Sequence, residues 1–294
     1  MIKDPARSEV SWTLMSEPES VKTYRANVNL KVRFKKGNGL TVPLIQDLTQ
    51  LSHRARDNSS ILRIVISAEG RYFCAGMGLG EGTTPVAQTK EASDGEYDRM
   101  TRHFEATDNA RQVMVAAINR PAFGGGVGLA FACDGRIAVI SVTVTLSEAK
   151  LGLCPATIAI HHQRWGLAFT QEAMLSARPI TMPELRSLGL VAKVVDEPTQ
   201  LSAELDQYLS QPKIAKPEAS GMWKQLIRWG WAHVGRDEQE KGVKQLYDKM
   251  MRSDGEAAIG LKVFQITRET LDLDGISIAR MAAASKWKLS VSWR

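Results

Sequence analysis

Three consecutive glycines, Gly124, Gly125 and Gly126, follow a buried strand pattern at residues 113–119 and precede a short helix pattern. Glycine loses more backbone freedom on folding than any other residue, so a run of three indicates a need for bare backbone. Unpaired amides at the start of a helix, at the carboxyl end of a parallel strand, favour an anion or an oxyanion. No Gly-Lys-Ser/Thr follows and no G-x-G-x-x-G spacing is present, which argues against a phosphate loop. Close packing of helix on sheet is the alternative explanation.

A second stretch of small residues, RYFCAGMGLG at 71–80, follows another buried strand pattern at 61–68. Two such loops on neighbouring strands could aim two backbone N–H groups at one oxygen. This arrangement is an oxyanion hole, which stabilises a thioester enolate, and removing one donor typically costs about 3 kcal/mol of barrier.

The elements that would position these loops alternate along the chain. Alternation at 24–34 predicts a strand, a stripe of Leu and Ala at 42–56 predicts an amphipathic helix, and 61–68 predicts a second strand. Such a βαβ unit predicts a parallel sheet, and the alternation continues to a strand at 190–196. We therefore predict an α/β fold, with residues 1–20 as an irregular lead-in.

After about residue 200 the patterns are helical, with no strand between them. Met222, Leu226 and Trp229 form one apolar stripe, which indicates either core packing or a contact with a partner subunit. The predicted organisation is an α/β core at 1–200 and an α-helical C-terminal region at 201–294 that caps the core or supports oligomerisation.

Composition argues against several classes of protein. The net charge is +6, but no block of like charges occurs and aromatic residues make up only 6%, so nucleic-acid binding is not indicated. There is no apolar run of about 18 residues for a membrane span, and the N-terminus lacks the apolar segment of a secretory signal. Three widely spaced cysteines favour a reduced intracellular protein without a metal site.

Four segments resemble the motifs of the crotonase, or enoyl-CoA hydratase/isomerase, superfamily. They are FCAGMGL at 73–79, NRPAFGGGVGLAFACD at 119–134, LSEAKLGLCPA at 146–156 and ARPITMPELRSLGLVAKVVD at 177–196. Their order and spacing agree with the superfamily over roughly residues 25–270.

The resemblance implies a spiral of ββα units, assembled as a homotrimer or homohexamer, that binds an acyl-CoA or acyl-carrier thioester. The thioester oxygen would lie between the backbone amides of Met77 and Gly125. Lys35, Lys36 and Ala75 match the stretches that contact CoA in the family, although the two lysines also fit an exposed basic turn. Coenzyme A would enter as part of the substrate, so no separate cofactor is expected.

The departures from the family pattern bear on the reaction. Hydratases of the family carry two glutamates; the first position is Gly128 here and the second is Glu148. Members with one glutamate at the second position resemble Δ3,Δ2-enoyl-CoA isomerases, in which a single carboxylate moves a proton from C2 to C4. We therefore favour isomerisation over hydration, and expect a partly apolar pocket to raise the pKa of Glu148. A structural glutamate that caps a helix is the alternative for Glu148.

Further departures leave other functions open. His161 and His162 follow an altered proline turn and could act as auxiliary acid or base in a hydratase or dehydratase, or lie on a helix surface. The C-terminus, SVSWR, is not a Ser-Lys-Leu type of peroxisomal address, so the expected location is cytoplasmic or peroxisomal without a clear signal. Polyketide or other secondary metabolism is a further alternative, as is a non-catalytic binding partner.

Overall fold

The computed structural model describes residues 11–35, 39–58, 60–77, 90–151, 165–210 and 217–231, together with residues 241, 245 and 248. The strands are β1 (Thr13–Ser16), β2 (Val21–Ala26), β3 (Asn29–Phe34), β4 (Gly39–Leu40), β5 (Arg63–Ala68), β6 (Gly76–Met77), β7 (Val113–Ile118), β8 (Ala122–Phe123), β9 (Gly135–Val139), β10 (Thr143–Thr145), β11 (Ile180–Thr181) and β12 (Lys193–Val195). The α-helices are α1 (Val42–Asp57), α2 (Lys90–Asp108), α3 (Gly125–Ala132), α4 (Leu167–Ser176), α5 (Met182–Ser187), α6 (Leu201–Ser210) and α7 (Pro217–Trp231).

A seven-stranded sheet in the order β1-β2-β3-β5-β7-β9-β12 forms the centre of the described structure. Strands β3, β5, β7, β9 and β12 run parallel, with Leu30 beside Ile64 and Val32 beside Ile66 in the β3–β5 pair. Helix α1 connects β3 to β5, and its Leu44 and Leu48 are buried in the core. The predicted βαβ unit, parallel sheet and α/β fold are confirmed.

The N-terminal segment differs from the sequence-based expectation. Residues 24–34 were expected to form one strand, but β2 and β3 pair antiparallel across a turn at residues 27–28. Asn27 takes φ 51°, a left-handed conformation that asparagine tolerates better than most residues, and it reverses the chain there. The lead-in at 1–20 is likewise not wholly irregular, because β1 pairs with β2 at the sheet edge.

Two small sheets lie beside the main one and carry the loops that follow β5 and β7. Strand β4 pairs with β6, and β8 pairs with β10, which pairs in turn with β11. A further bridge joins Cys74 to Ala122. These short pairings hold the two glycine-containing loops against each other.

Among the described C-terminal residues, α6, α7 and residues 241, 245 and 248 are helical. Leu201, Leu205 and Leu209 of α6 join the main hydrophobic core. Helix α7 is anchored by Lys224, whose Nζ lies 2.5 Å from Asp134 Oδ2 and donates to the carbonyls of Ala110 and Gln112. Helical structure is thus confirmed for these residues, whereas a domain boundary at residue 200 stays a prediction.

Candidate active site

The two glycine-containing loops meet at Gly76 and Gly125. Phe123 donates its backbone N–H to the Cys74 carbonyl at 2.9 Å, which draws the loops together. A Cβ placed on Gly76 would lie 2.7 Å from the Phe123 carbonyl oxygen and 3.2 Å from the Gly125 nitrogen. Gly76 also has φ +78°, so both its conformation and its surroundings require glycine. Met77, the next residue, thus lies beside the start of helix α3.

Helix α3 begins without a side-chain cap. Its N-cap residue is Gly124, with φ 48° and ψ −122°, and Gly125 is the first helical residue. The amide of that first position has no acceptor within the helix, so it can donate to a ligand. A Cβ on Gly126 would lie 2.3 Å from the Cys74 carbonyl oxygen, which explains the third glycine by close packing.

Strand β10 brings Glu148 to the start of helix α3. β10 runs parallel to β8, with Thr145 beside Phe123, and Gly124 donates its N–H to the Thr145 carbonyl at 2.9 Å. Glu148 opens a 3₁₀ turn just after β10. Its Oε1 lies 2.8 Å, and its carboxyl carbon 3.3 Å, from the position of a Cβ on Gly124. The carboxylate is therefore packed against bare backbone, one residue before Gly125.

The carboxyl group of Glu148 is partly buried. Its Oε2 atom is buried and has no hydrogen-bond partner within the described part of the chain. Burial raises the pKa of Glu148 above its usual value, while a hydrogen bond from its own backbone amide opposes that shift. The direction of this pKa shift is the one expected from the sequence. A raised pKa makes it easier for this carboxylate to take up a proton, as a proton carrier must.

Two side chains that the sequence did not single out complete the surroundings of Gly125. The Cδ1 atom of Leu40 lies 2.9 Å, and the Cε atom of Met100 lies 3.6 Å, from the position of a Cβ on Gly125. Both side chains are buried. They come from β4 and α2, and their apolar character alone could not distinguish them from other core residues.

The other predicted site residues have varied positions. Lys35 lies at the end of β3, where its Nζ is 3.3 Å from Glu17 Oε1, and Ala75 is half-buried between Cys74 and Gly76. Gly128 is buried inside α3, so no carboxylate stands at that position. Lys36, His161 and His162 lie outside the described residues.

The described ranges show neither a metal cluster nor a membrane-spanning helix. No three His, Cys, Asp or Glu side chains there are grouped to hold a metal ion. None of the helices described is both long and apolar enough to cross a membrane. Cys74 and Cys133 are buried and unpaired, and Cys154 lies outside the described residues.

The chain is similar to a known family of proteins. The family model for enoyl-CoA hydratase/isomerase matches residues 26–269. The enoyl-CoA hydratase AKT6-1 of Alternaria alternata is 36% identical over 240 residues, covering 81% of this chain and 78% of that protein. The carnitinyl-CoA dehydratase of Proteus mirabilis (strain HI4320) is 26% identical over 226 residues, covering 74% of this chain and 84% of that protein.

Solved structures share the fold. An enoyl-CoA hydratase from Mycobacterium smegmatis superposes with a TM-score of 0.75 at 20% identity, covering 86% of this chain and 99% of that one. DspI of Pseudomonas aeruginosa gives a TM-score of 0.75 at 22% identity, covering 91% and 99%. The crotonase-type fold inferred from the motifs is therefore confirmed, and this chain belongs to the enoyl-CoA hydratase/isomerase family of enzymes, the crotonase superfamily.

Proposed function

We propose that the protein moves a proton within an enoyl thioester, shifting the double bond between C3–C4 and C2–C3, with Glu148 as the only carboxylate that acts. The observation that carries this proposal is the contact of the Glu148 carboxylate with Gly124, at the start of α3, with Oε2 buried and without a partner among the described residues.

The thioester oxygen would accept hydrogen bonds from the backbone amides of Met77 and Gly125. The position of Gly125 as first residue of α3 supports this role, since its N–H has no acceptor within the helix. The close approach of Gly76 to the Gly125 nitrogen supports it as well, because it brings Met77 to the same place. Two fixed donors would stabilise the negative charge that develops on the oxygen when C2 loses a proton.

The proton balance needs only one carboxylate. Ionised Glu148 takes a proton from C2 of a 3-enoyl thioester, and the electron pair moves onto the thioester oxygen as an enolate. When the enolate collapses, C4 takes the proton back from the Glu148 carboxyl group and the C2–C3 double bond forms. The absence of a side chain at Gly128 supports this route over one with two glutamates.

Hydration or dehydration of the same thioester is the second candidate. It is favoured by the names of the relatives, which include enoyl-CoA hydratase AKT6-1 and a carnitinyl-CoA dehydratase. This reaction would require a second group to hold the water, and His161 or His162 would be that group. A thioester of secondary metabolism is the alternative substrate to a simple fatty acyl-CoA.

The acyl carrier and the assembly are also proposals. Coenzyme A would be bound as part of the substrate, with Lys35 exchanging its ion pair with Glu17 for a phosphate and with Lys36 and Ala75 nearby. Two lysines suit the charge of the nucleotide phosphates. We expect a homotrimer or homohexamer, on the basis of the family pattern.

The test is proton NMR of a 3-enoyl-CoA and a 2-enoyl-CoA incubated with the wild type, Glu148→Gln and Glu105→Gln. Glu105 is an exposed carboxylate of α2 and serves as the matched control. A migrated double bond that is slowed at least about 10²-fold in Glu148→Gln, but not in Glu105→Gln, is the expected result. A 3-hydroxyacyl product would establish hydration instead. No change in either substrate would exclude simple acyl chains for both candidates.

A further inference from the structure

We propose that Met100 forms the wall of the acyl site beside the oxyanion position and limits the size of the acyl group that the enzyme accepts. This inference rests on the proposed function, because it takes the thioester to be bound at the amide of Gly125.

The geometry starts from Gly125. The Met100 Cε atom lies 3.6 Å from the position of a Cβ on this residue. Standard backbone dimensions put that position roughly 2.5 Å from the amide nitrogen, so the methyl group is within about 6 Å of the N–H that would hold the thioester oxygen. If the Gly125 N–H holds the thioester oxygen, the first carbons of the acyl chain lie at a similar distance from that N–H as the Met100 methyl group.

Two neighbouring backbone positions therefore have opposite surroundings. The carboxylate of Glu148 lies against Gly124, whereas the apolar ends of Leu40 and Met100 lie against Gly125. The apolar carbon chain of the thioester is expected to lie against Leu40 and Met100. The carbon atoms that lose and gain the proton are expected to face Glu148. The acyl group is thus expected to leave the oxyanion position along Leu40 and Met100.

Of the two side chains in this wall, Met100 is the more flexible. Leu40 lies in β4, which pairs with β6, so its backbone is tied to the strand that carries Met77. Met100 lies on α2, and its unbranched thioether has three rotatable bonds that let it take several shapes. Its side chain is 2% exposed, so shortening it opens space next to Gly125 rather than at the surface.

Simple core packing is the competing explanation, and the chain offers a matched control. Met114 on β7 is also 2% exposed, but it is not among the atoms closest to Gly125. Truncation of either methionine removes the same atoms from the core. Only truncation of Met100 is expected to change which acyl group is preferred.

The experiment compares kcat/KM for four-carbon, eight-carbon and 2-methyl-branched enoyl-CoA substrates in the wild type, Met100→Ala and Met114→Ala. We expect the ratio of a larger substrate to the four-carbon one to rise about tenfold in Met100→Ala, as for a pocket that gains a few methylenes of space. In Met114→Ala the ratio should stay within about twofold of the wild type. An unchanged ratio in Met100→Ala, or an equal change in Met114→Ala, would overturn the assignment.

One further variant and one binding measurement test the proposal independently of folding and of the reaction. Met100→Leu preserves the core volume and should fold even where alanine does not; its branched end should lower the ratio for the branched substrate, and an unchanged ratio counts against the proposal. Dissociation constants of saturated acyl-CoAs, measured in Glu148→Gln, need no chemistry. If the size preference still follows residue 100 there, the wall is correct even where the proposed reaction is wrong.

Discussion

The carboxylate oxygen Oε1 of Glu148 lies 2.8 Å from the position that a Cβ on Gly124 would occupy. The two residues are brought together by the β8–β10 pairing and by the hydrogen bond from the Gly124 amide to the Thr145 carbonyl. The acid and the first residues of α3 therefore form one unit, in which a change to either residue displaces the other.

Gly124→Ala tests this contact directly. The new methyl group would push the Glu148 carboxylate aside, and the φ of 48° with ψ −122° is strained for alanine. We expect a loss of about 10²-fold in kcat, because small misplacements of a catalytic group have that effect. The measurement is kcat together with circular dichroism. A fully active, folded Gly124→Ala enzyme would show that the contact does not matter for catalysis.

The next two glycines should differ in their tolerance of alanine. A Cβ on Gly126 would meet the backbone carbonyl of Cys74 at 2.3 Å, whereas one on Gly125 would meet the flexible end of Leu40 at 2.9 Å. We expect Gly126→Ala to lower the free energy of unfolding by about 3 kcal/mol and Gly125→Ala by about 1 kcal/mol. Urea denaturation measures both losses, and the opposite order would contradict this packing.

Glu148→Gln should stabilise the protein while it inactivates it. Because burial raises the pKa of Glu148 in the folded protein, its ionisation opposes folding at any pH above the usual glutamate range. The melting temperature of Glu148→Gln should therefore exceed that of the wild type at pH 7, and the difference should vanish once the pH falls below about 4.5, where both forms are neutral. A lower melting temperature at pH 7 would show that the carboxylate has a stabilising partner.

His103 should make the protein sensitive to acid. This side chain is 1% exposed, and neither ring nitrogen has a hydrogen-bond partner within the described ranges. Burial lowers its pKa to about 4, so the folded protein holds it neutral while an unfolded chain takes up a proton below about pH 6.5. The free energy of unfolding should hold its full His103 contribution above pH 6.5. It should then fall by about 3 kcal/mol as the pH falls towards 4.

The check is chemical denaturation of the wild type, His103→Leu and His53→Gln between pH 7 and pH 4. His53 is exposed on α1 and serves as the control. The fall in stability should be about 3 kcal/mol smaller in His103→Leu only, because the opposing effect of Glu148 is common to all three proteins and cancels in the comparison. Equal pH profiles for all three proteins would exclude His103 as the cause.

Lys224 should account for much of the attachment of helix α7. Its side chain is 11% exposed, and its ammonium group is shared between Asp134 and two carbonyl groups. Lys224→Met leaves the partly exposed Asp134 carboxylate with the N–H of Met114, at 2.7 Å, as its donor among the described residues, and should destabilise the protein by about 1.5 kcal/mol. Hydrogen exchange should show faster exchange at Met114.

An exposed ion pair provides the comparison for Lys224. Arg102 and Asp98 pair at 3.2 Å on α2, with side chains that are 75% and 58% exposed. Arg102→Met should change the free energy of unfolding by less than about 0.5 kcal/mol. Similar losses in the two variants would mean that burial does not strengthen the Lys224 contacts.

The amino-acid sequence by itself determined the alternation of the main strands and helices, the parallel sheet and the two glycine-containing loops. These follow from local periodicity, from turn chemistry and from motif order, all of which are written in consecutive residues. It was wrong at residues 24–34, because the alternating pattern continues through the turn and only the conformation of Asn27 divides the two strands. Glu148 was identified as the candidate proton carrier from its place in a motif.

Only the tertiary structure decided what surrounds the loops. The contact of Glu148 with Gly124, the lack of a partner for its Oε2, and the approach of Leu40 and Met100 to Gly125 join segments that are far apart in the chain. Such contacts depend on how helices and small sheets pack and on side-chain direction, for which a single sequence carries no local pattern. The physical reason is that the sequence encodes each element largely through near neighbours, whereas a site is made where distant elements meet.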